Sequence, residues 1–475
     1  MCDIVSDTSE NVRKTLDNAN GLTDIERMRK TFITGGLSGL CNMGNTCYMN
    51  AALQCLSATD LLASYIRGEN PTEDSPFKGD LYYNIQRSMM AEARKKYKDE
   101  KDIKIDVSDI RKKYKSTLTY KLRNIFVLMW GENCKVKPIE FKSMLGDLKN
   151  IFQGRDQNDS QECLSFILDQ IHEEVKSDVI TRFKNLSPEL IHFKEEYDKY
   201  MKLFNETENT TEKLKYKSQF NEFRLKHVGD EAMFKSLSFW RAFMRKNHSA
   251  ILDIFTGLSL TQVQCNNCQS ISFNFEPFNL LSLPIMSGTD LTLDMCLQEY
   301  FNNDEILTGD NQYQCDSCSG KHDAKKFTKL WHTPERLIIQ LKRFVNFGHR
   351  VTKNQSNINF PITELNIGKY ISQYVTDDDS IYDLYGVIHH SGSLGGGHYV
   401  AYTKNILNKQ WYLFDDQHVV HIDEQSVENR IVNSGAYVLF YAKSGNFSIV
   451  EPLVEPIEPS TGSDNSCDGI SKQIV

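Results

Sequence analysis

The sequence predicts an α+β fold in which helices come first and a β-sheet structure follows. In the N-terminal half, apolar side chains recur at helical spacing, as in CYMNAALQCLSATDLLASYI and QECLSFILDQIHEEV. After Ile251 the pattern changes to short β-rich runs, among them SISFNFEPFNLLSLPI, ERLIIQLKRFV and HYVAYTK. Two Cys-x-x-Cys pairs lie in this second half, and they predict a metal site on the β structure.

The overall composition is that of a globular protein with a slightly acidic surface. Its 475 residues carry 55 Lys and Arg against 63 Asp and Glu, a formal net charge of −8. This balance excludes a generally basic nucleic-acid coat. With 26 Phe, 21 Tyr and 4 Trp, the chain can bury at least one large core. The length fits two or three ordinary domains, or a single enzyme domain with insertions.

Cysteine usage and hydropathy predict the compartment. The N-terminus has no apolar run of signal-peptide length, and no stretch approaches the roughly 18 apolar residues of a membrane span. Twelve cysteines are too sparse for a disulfide scaffold in a chain of this length, and paired cysteines in a reducing compartment favour metal binding. We therefore expect a cytoplasmic or nuclear protein without a membrane partner.

Changes in composition divide the chain. Residues 1–36 form a polar lead-in, and residues 37–445 contain the patterned segments. Within that unit, charged and helix-prone stretches at about 72–125 and 187–250 predict exposed helical insertions. The acidic segment 446–475 is rich in proline and serine, which predicts a disordered tail.

The segment GLCNMGNTCYMNAALQCL places a cysteine where a loop enters a helix. Cys47 follows Asn45 and Thr46, which are typical capping residues, and the first turn of a helix favours thiolate over thiol. Asn42, five residues earlier, carries an amide that can donate to a developing oxyanion. Cys47 is therefore a candidate nucleophile, and the alternative is an ordinary buried cysteine.

The segment GGGHYVAY places a histidine at the start of a predicted strand. Glycines allow close backbone approach, which favours a functional role for His398 over the more common packing role. His389 and His390, on the preceding strand, are rival candidates.

The next strand, WYLFDD, ends in two carboxylates, Asp415 and Asp416. A short connection predicts an antiparallel pair, in which Asp415 accepts a hydrogen bond from the imidazole Nδ1–H of His398. Cysteine, histidine and aspartate then follow one another in the order of a papain-like triad. The alternative is that these aspartates only form a turn.

The two Cys-x-x-Cys pairs supply four thiolates, the set that closes a tetrahedral structural zinc site. The pairs are separated by 46 residues, which predicts that they lie at the tips of two β-hairpins. A closed site has no open coordination position, so it argues against a zinc hydrolase. The ligands are Cys265, Cys268, Cys315 and Cys318.

These segments, in this order, resemble the ubiquitin-specific proteases, papain-like cysteine peptidases that remove ubiquitin. GLCNMGNTCYMNAALQCL resembles the family's cysteine box, and YDLYGVIHHSGSLGGGHYVAYTK with WYLFDD resembles its histidine box. QNDSQECLSFILDQIHEE resembles the segment that lines the cleft, and the matched stretches span about residues 37–443. The resemblance implies a hand-shaped fold with a helical thumb, an antiparallel β palm and zinc-tipped β fingers.

The resemblance also implies a role for each matched site residue. Cys47 is the nucleophile, His398 the general base and then acid, and Asp415 orients the histidine. Asn42 is the oxyanion donor, and Asp416 assists or substitutes for its neighbour.

The implied substrate is the C-terminal tail of ubiquitin. Asp159 holds the basic part of this tail, and Gly397 and Tyr399 line the narrow cleft that admits its Gly-Gly end. Ser160 and Cys163 depart from the residues that are frequent at these positions in the family, which leaves details of the cleft open.

The implied function is a thiol-dependent deubiquitinase with structural zinc, acting on ubiquitin and ubiquitinated proteins. Two alternatives remain: a protease for another modifier ending in Gly-Gly, or an inactive ubiquitin-binding scaffold. A zinc-ribbon nucleic-acid binder is disfavoured, because Asp316 and Asp323 accompany the lysines of the second cysteine pair. We therefore expect no nucleic-acid partner.

Overall fold

The architecture was analysed in a computed structural model. It describes residues 35–68, 81–96, 106–131, 134–181, 186–302, 304–347, 350–375, 380–393, 396–444 and 454–456. Most of the predicted lead-in and tail lies outside these residues, so the predicted boundaries stay predictions.

Helices dominate the described residues before position 256. They are α1 (Cys47–Ser57), α2 (Asp60–Arg67), α3 (Leu81–Lys96), α4 (Val107–Lys115), α5 (Leu118–Trp130), α6 (Ile139–Leu148), α7 (Ser160–Val175), α8 (Pro188–Glu206), α9 (Thr210–Lys226), α10 (Val228–Asn247) and α11 (Ala250–Phe255). Two further helices, α12 (Leu293–Phe301) and α13 (Val427–Ile431), lie between strands.

Strands dominate after position 256, as the sequence predicts. The early strands are β1 (Gly39–Leu40), β2 (Lys135–Val136) and β3 (Val179–Thr181). The others are β4 (Gly257–Cys265), β5 (Ile271–Phe278), β6 (Leu281–Leu283), β7 (Leu291–Thr292), β8 (Glu305–Leu307), β9 (Tyr313–Cys315), β10 (Gly320–His322), β11 (Ala324–His332), β12 (Arg336–Leu341), β13 (Phe344–Phe347), β14 (Arg350–Lys353), β15 (Ile358–Asn359), β16 (Leu365–Asn366), β17 (Ile381–Ser393), β18 (Gly396–Lys404), β19 (Trp411–Asp415), β20 (His418–Ile422), β21 (Ala436–Lys443) and β22 (Val454–Pro456).

The larger sheet has the strand order β20-β19-β18-β17-β21-β12-β6, and β16 pairs with the end of β17. Its strands β17, β18 and β19 are consecutive antiparallel neighbours, as the hairpin argument predicts. Strand β21 is buried on both faces: Val438 and Phe440 face the helical layer, whereas Leu439 and Tyr441 face the core beneath α12 and α13. Alternating apolar residues on both faces explain why this strand is almost continuously hydrophobic.

Helix α1 lies at the centre of the helical layer and brings Cys47 to the sheet. All eleven of its residues are buried, which suits its small and apolar sequence. It packs against β18 on one side and α7 on the other. The Ser160 hydroxyl at the start of α7 donates to the carbonyl of Tyr48 at 2.7 Å, so the first turns of the two helices are fixed together.

A separate sheet of order β5-β4-β11-β8 carries the cysteine pairs at its end. Its apolar face packs against α10, where Ala232 contacts a cluster that includes Leu260 and Phe275. The insertion predicted at 187–250 is helical, but it is not wholly exposed, because α10 covers this sheet. In contrast, α9 has no buried residue.

Two further observations concern the ends of the chain and the membrane. Strand β22 lies within the predicted tail and pairs with β3, so this short piece of the tail has regular structure. None of the helices in the described ranges has the length and apolar character needed to cross a membrane.

Candidate active site

Cys47 is the first residue of α1, as predicted, but the capping differs from the prediction. Thr46 precedes the helix without a capping hydrogen bond from its side chain. Its hydroxyl instead accepts from the N–H of Met43 at 3.0 Å. The side-chain Oδ1 of Asn42 accepts from the N–H groups of Gly44 and Thr46, at 2.9 and 3.2 Å. The loop is therefore held by its own side chains, which leaves the first N–H groups of α1 without side-chain caps.

The environment of the Cys47 thiol corrects the expectation of a favoured thiolate. Burial raises the pKa of Cys47 above its ordinary value of 9.0, and the nearby Asp416 carboxylate raises it further. Backbone N–H groups, chiefly that of Tyr399, oppose this and lower the pKa. Burial is the larger effect, so the thiol form predominates near neutral pH.

A pH profile of alkylation tests this assignment. Because only the thiolate reacts, we expect the rate of Cys47 modification by iodoacetamide to rise roughly tenfold per pH unit between about pH 6 and 9. The rate is measured by mass spectrometry of the Cys47 peptide, which separates it from other cysteines. A plateau below pH 7 would show that the thiolate is already formed.

His398 and Asp415 are joined by a hydrogen bond of 2.6 Å between Nε2 and Oδ1. The predicted pairing is confirmed, but the predicted ring nitrogen, Nδ1, is wrong. A ring nitrogen that donates to a carboxylate carries the proton, so Nδ1 retains the lone pair that can accept a proton from a thiol. Among the hydrogen bonds of the described residues, none joins Cys47 to His398. The imidazole of His398 is therefore oriented by Asp415 without a hydrogen bond to Cys47.

The rival histidines have packing roles. His389 is buried, and its Nε2 lies 2.8 Å from the carbonyl oxygen of Ile431. His390 is also buried, and its ring lies 4.6 Å from that of Tyr399. Burial lowers the pKa of each of these two histidines to about 4, so both are neutral at physiological pH.

Asp416 lies at the turn after β19 and holds two asparagines. Its Oδ2 accepts from the amide of Asn42 at 2.9 Å, and its Oδ1 accepts from Asn50 at 2.7 Å. The residue has a positive φ of 51°, and its carbonyl accepts from the N–H of Leu40 at 2.9 Å. Asp416 thus fixes the Asn42 carboxamide, whose second N–H is available for an oxyanion. Ligand atoms of His398, Asp415 and Asp416 also lie within 4.8 Å of one another, a spacing that could hold a metal ion.

Asp159 is the N-cap residue of α7, and both of its carboxylate oxygens accept hydrogen bonds from within the protein. Its Oδ1 accepts from the N–H of Gln161 at 2.7 Å, and its Oδ2 accepts from the Tyr437 hydroxyl at 2.7 Å. Burial raises the pKa of Asp159, while these hydrogen bonds lower it. The carboxylate therefore has a structural role as a helix cap, and substrate contact would use its remaining lone pairs.

Tyr399 and Gly397 lie near the start of β18, the strand that packs on α1. The ring of Tyr399 is buried against His390, so this residue presents its backbone rather than its side chain to the thiol. Gly397 has no room for a side chain, because an added Cβ would lie 2.1 Å from His390 Nε2.

Gln157 also contacts this strand, although it is not among the site residues predicted from the sequence. Its carboxamide donates to the Gly397 carbonyl and accepts from the Gly397 N–H, both at 3.0 Å. The available signal was its place in the segment QNDSQE, two residues before Asp159.

The four predicted metal ligands come together at the ends of two turns, one between β4 and β5 and one between β9 and β10. Their sulfur atoms all lie within 4.8 Å of one another. The Sγ atoms of Cys265 and Cys318 are 3.9 Å apart, and those of Cys268 and Cys315 are 3.6 Å apart. A tetrahedron with Zn–S bonds of about 2.3 Å has sulfur–sulfur edges of about 3.8 Å, so the set fits zinc.

A cysteine at the start of a helix that packs on the strands of a bonded histidine and aspartate is the arrangement expected of a cysteine peptidase. The family model described as ubiquitin carboxyl-terminal hydrolase matches residues 38–441. The chain therefore belongs to the ubiquitin carboxyl-terminal hydrolase family and is a cysteine-type deubiquitinase. The family and enzyme class predicted from the sequence are confirmed.

Individual relatives agree with this assignment. A probable ubiquitin carboxyl-terminal hydrolase of Acanthamoeba polyphaga mimivirus is 31% identical, covering 93% of this chain and 95% of the relative. Ubiquitin carboxyl-terminal hydrolase 2 of Homo sapiens is 28% identical, covering 86% of this chain but only 55% of the human protein.

Solved structures support the fold. A chain of the SAGA Ubp8/Sgf11/Sus1/Sgf73 DUB module bound to ubiquitin aldehyde has a TM-score of 0.55 and 23% identity, with 92% of this chain and 75% of that chain covered. A chain of the yeast SAGA DUB module with an Sgf73 mutant has the same TM-score and 24% identity, with 92% of this chain and 74% of that chain covered. These similarities confirm the predicted α+β class.

Proposed function

We propose that Cys47, His398 and Asp415 form a catalytic triad that hydrolyses bonds at the C-terminal glycine of ubiquitin. The observation that carries the proposal is the 2.6 Å hydrogen bond between His398 and Asp415, on strands that pack beside α1. It fixes the imidazole with Nδ1 available as a base. The backbone N–H of Tyr399 lowers the pKa of Cys47 and so favours the thiolate once it forms.

The chemistry proceeds by acyl transfer through the cysteine. His398 accepts the thiol proton, and the Cys47 sulfur forms a bond to the glycine carbonyl carbon as the carbonyl electrons move to oxygen. The second N–H of Asn42 and backbone N–H groups at the start of α1 donate to this oxyanion. His398 then gives its proton to the departing lysine amine, and the C–N bond breaks. The resulting thioester is hydrolysed by water that His398 deprotonates.

We assign the parts of the fold to the hand that the resemblance implies. The layer around α1 and α7 is the thumb, the larger sheet is the palm, and the sheet that carries the cysteine cluster forms the fingers. The four thiolates would hold zinc in a closed structural site, which fixes the two turns at the fingertip.

The substrate proposal is ubiquitin on ubiquitinated proteins. A solved structure with the same fold has ubiquitin aldehyde bound, which supports the proposal. The free cysteines among the described residues suit a reducing compartment, so we place the enzyme in the cytoplasm or nucleus. The net charge of −8 disfavours a nucleic-acid partner.

A ubiquitin derivative with a thiol-reactive group at its C-terminus tests the proposal. We expect one covalent adduct by intact mass, located at Cys47 by peptide mapping. An adduct only with a related Gly-Gly modifier would assign a different substrate. Absence of an adduct with any such modifier would favour a binding scaffold.

Removal of one cluster ligand tests the metal assignment. In Cys268→Ser we expect loss of bound zinc and a Tm lower by several degrees, because metal binding contributes directly to folding. Zinc is measured by elemental analysis and Tm by calorimetry. The control is Cys134→Ser, which changes an exposed cysteine outside the cluster. Wild-type protein purified without zinc, together with an unchanged Tm in Cys268→Ser, would refute the assignment.

A further inference from the structure

The outer edge of β18 presents backbone groups to the cleft. Ala401 pairs with Phe414 across β18 and β19, and β19 ends at Asp415. Alternate residues of a strand direct their N–H and C=O groups to the same side of the strand. Tyr399 and Gly397 therefore direct these groups to the same side as Ala401, but beyond the end of β19. The Tyr399 backbone N–H lowers the pKa of the Cys47 thiol, and the Gly397 groups bond to Gln157.

The carboxamide of Gln157 has the hydrogen-bonding groups of a peptide unit. It donates one N–H and accepts with one oxygen, and both bonds to Gly397 measure 3.0 Å. An extended peptide that adds to a sheet edge makes the same pair of bonds with the same two backbone groups. Gln157 therefore occupies the position that such a peptide would take beside the nucleophile.

We propose that Gln157 acts as an internal competitor for the substrate tail: in the free enzyme it occupies the backbone groups of Gly397, and the extended C-terminal tail of the substrate displaces it. The inference rests on the proposed function. It assigns Gln157 a role in binding, because the Gly397 groups become available to the tail only when the carboxamide leaves.

The surroundings of Gln157 suit a displaceable contact. The residue is exposed, and solvent can replace its bonds to Gly397 at small net cost. The loop that carries it is held independently, because the Asn45 amide donates to the Arg155 carbonyl at 2.9 Å. The Gly397 backbone is also fixed, since the His390 ring lies directly beneath it. The side chain of Gln157 can thus move while the loop and β18 stay in place.

Steady-state kinetics with a fluorogenic ubiquitin substrate test the competition. In Gln157→Ala the tail no longer displaces two hydrogen bonds, so we expect KM to fall about two- to tenfold and kcat/KM to rise accordingly. The control is Gln153→Ala, an exposed glutamine nearby in the same segment, which should match the wild type. A KM that is unchanged or higher in Gln157→Ala would overturn the inference, and a higher KM would mean that Gln157 holds the substrate.

Amide hydrogen exchange tests, without any catalytic measurement, whether the contact between Gln157 and Gly397 forms in the free enzyme. Gln157 accepts from the Gly397 N–H, so we expect this amide to exchange faster in Gln157→Ala than in the wild type. Gln157→Glu retains an acceptor and should exchange more slowly than Gln157→Ala. Equal rates at Gly397 in the wild type and Gln157→Ala would overturn the inference. Failure of the wild type to cleave ubiquitin would instead contradict the proposed function, and the exchange measurement would still decide whether the contact forms.

Discussion

Replacement of Cys47 by alanine is expected to abolish turnover of ubiquitin conjugates, with a loss of at least roughly 10³-fold in kcat, while ubiquitin binding persists. In the proposed mechanism the Cys47 sulfur forms the bond to the carbonyl carbon. Cys47 is buried in a helix whose neighbours include Ala51 and Ala52, so alanine removes one atom without introducing a polar group. The helix, and with it the cleft, should remain intact.

Two measurements separate catalysis from binding in this variant. Turnover is followed with a fluorogenic ubiquitin substrate, and the Kd for ubiquitin is measured by calorimetry. The matched control is Cys55→Ala, which removes the same atom from the same buried helix at a position remote from the cleft. It should lose stability but retain turnover in the folded fraction. Full activity in Cys47→Ala would exclude Cys47 as the nucleophile.

Local sequence patterns predicted the parts of the site that depend on strand order and spacing. The run HYVAYTK followed by WYLFDD predicted an antiparallel pair, and the structure forms it with Ala401 opposite Phe414. Two Cys-x-x-Cys pairs predicted two turns whose four thiols form one metal site, and the distances between the sulfur atoms fit zinc. These features can be predicted because side chains alternate along a strand and short connections allow few arrangements of neighbouring strands.

Features that depend on long-range packing could not be predicted in this way. Strand position brings His398 to Asp415, but the rotamer of the imidazole decides that Nε2, not Nδ1, makes the bond. A helix start favours a thiolate, but the burial of Cys47 beneath β18 raises its pKa and reverses the expectation. The contact between Gln157 and Gly397 joins residues 240 positions apart, and no local pattern specifies it.

Gly397→Ala, which adds a single methyl group, is expected to lower kcat by at least about 10²-fold, because the added atom would shift the hairpin that carries His398, the proposed general base. The new Cβ would lie 2.1 Å from His390 Nε2 and 2.6 Å from the Ser391 carbonyl oxygen. His390 cannot move aside easily, since it is buried and its ring packs on those of Tyr399 and Phe344. The β17–β18 hairpin must therefore shift, and His398 shifts with it.

The neighbouring glycine provides the matched control for this prediction. An added Cβ at Gly396 meets no atom within 4 Å, so Gly396→Ala should retain kcat within about twofold of the wild type. Both variants carry the same chemical change in the same strand, and they differ in whether the methyl group meets buried atoms. The kcat values come from steady-state kinetics, and thermal unfolding shows whether each variant is folded. Equal kcat values in the two variants would show that the close contact between Gly397 and His390 does not position His398, since the catalytic hairpin would then accommodate the methyl group without moving the imidazole.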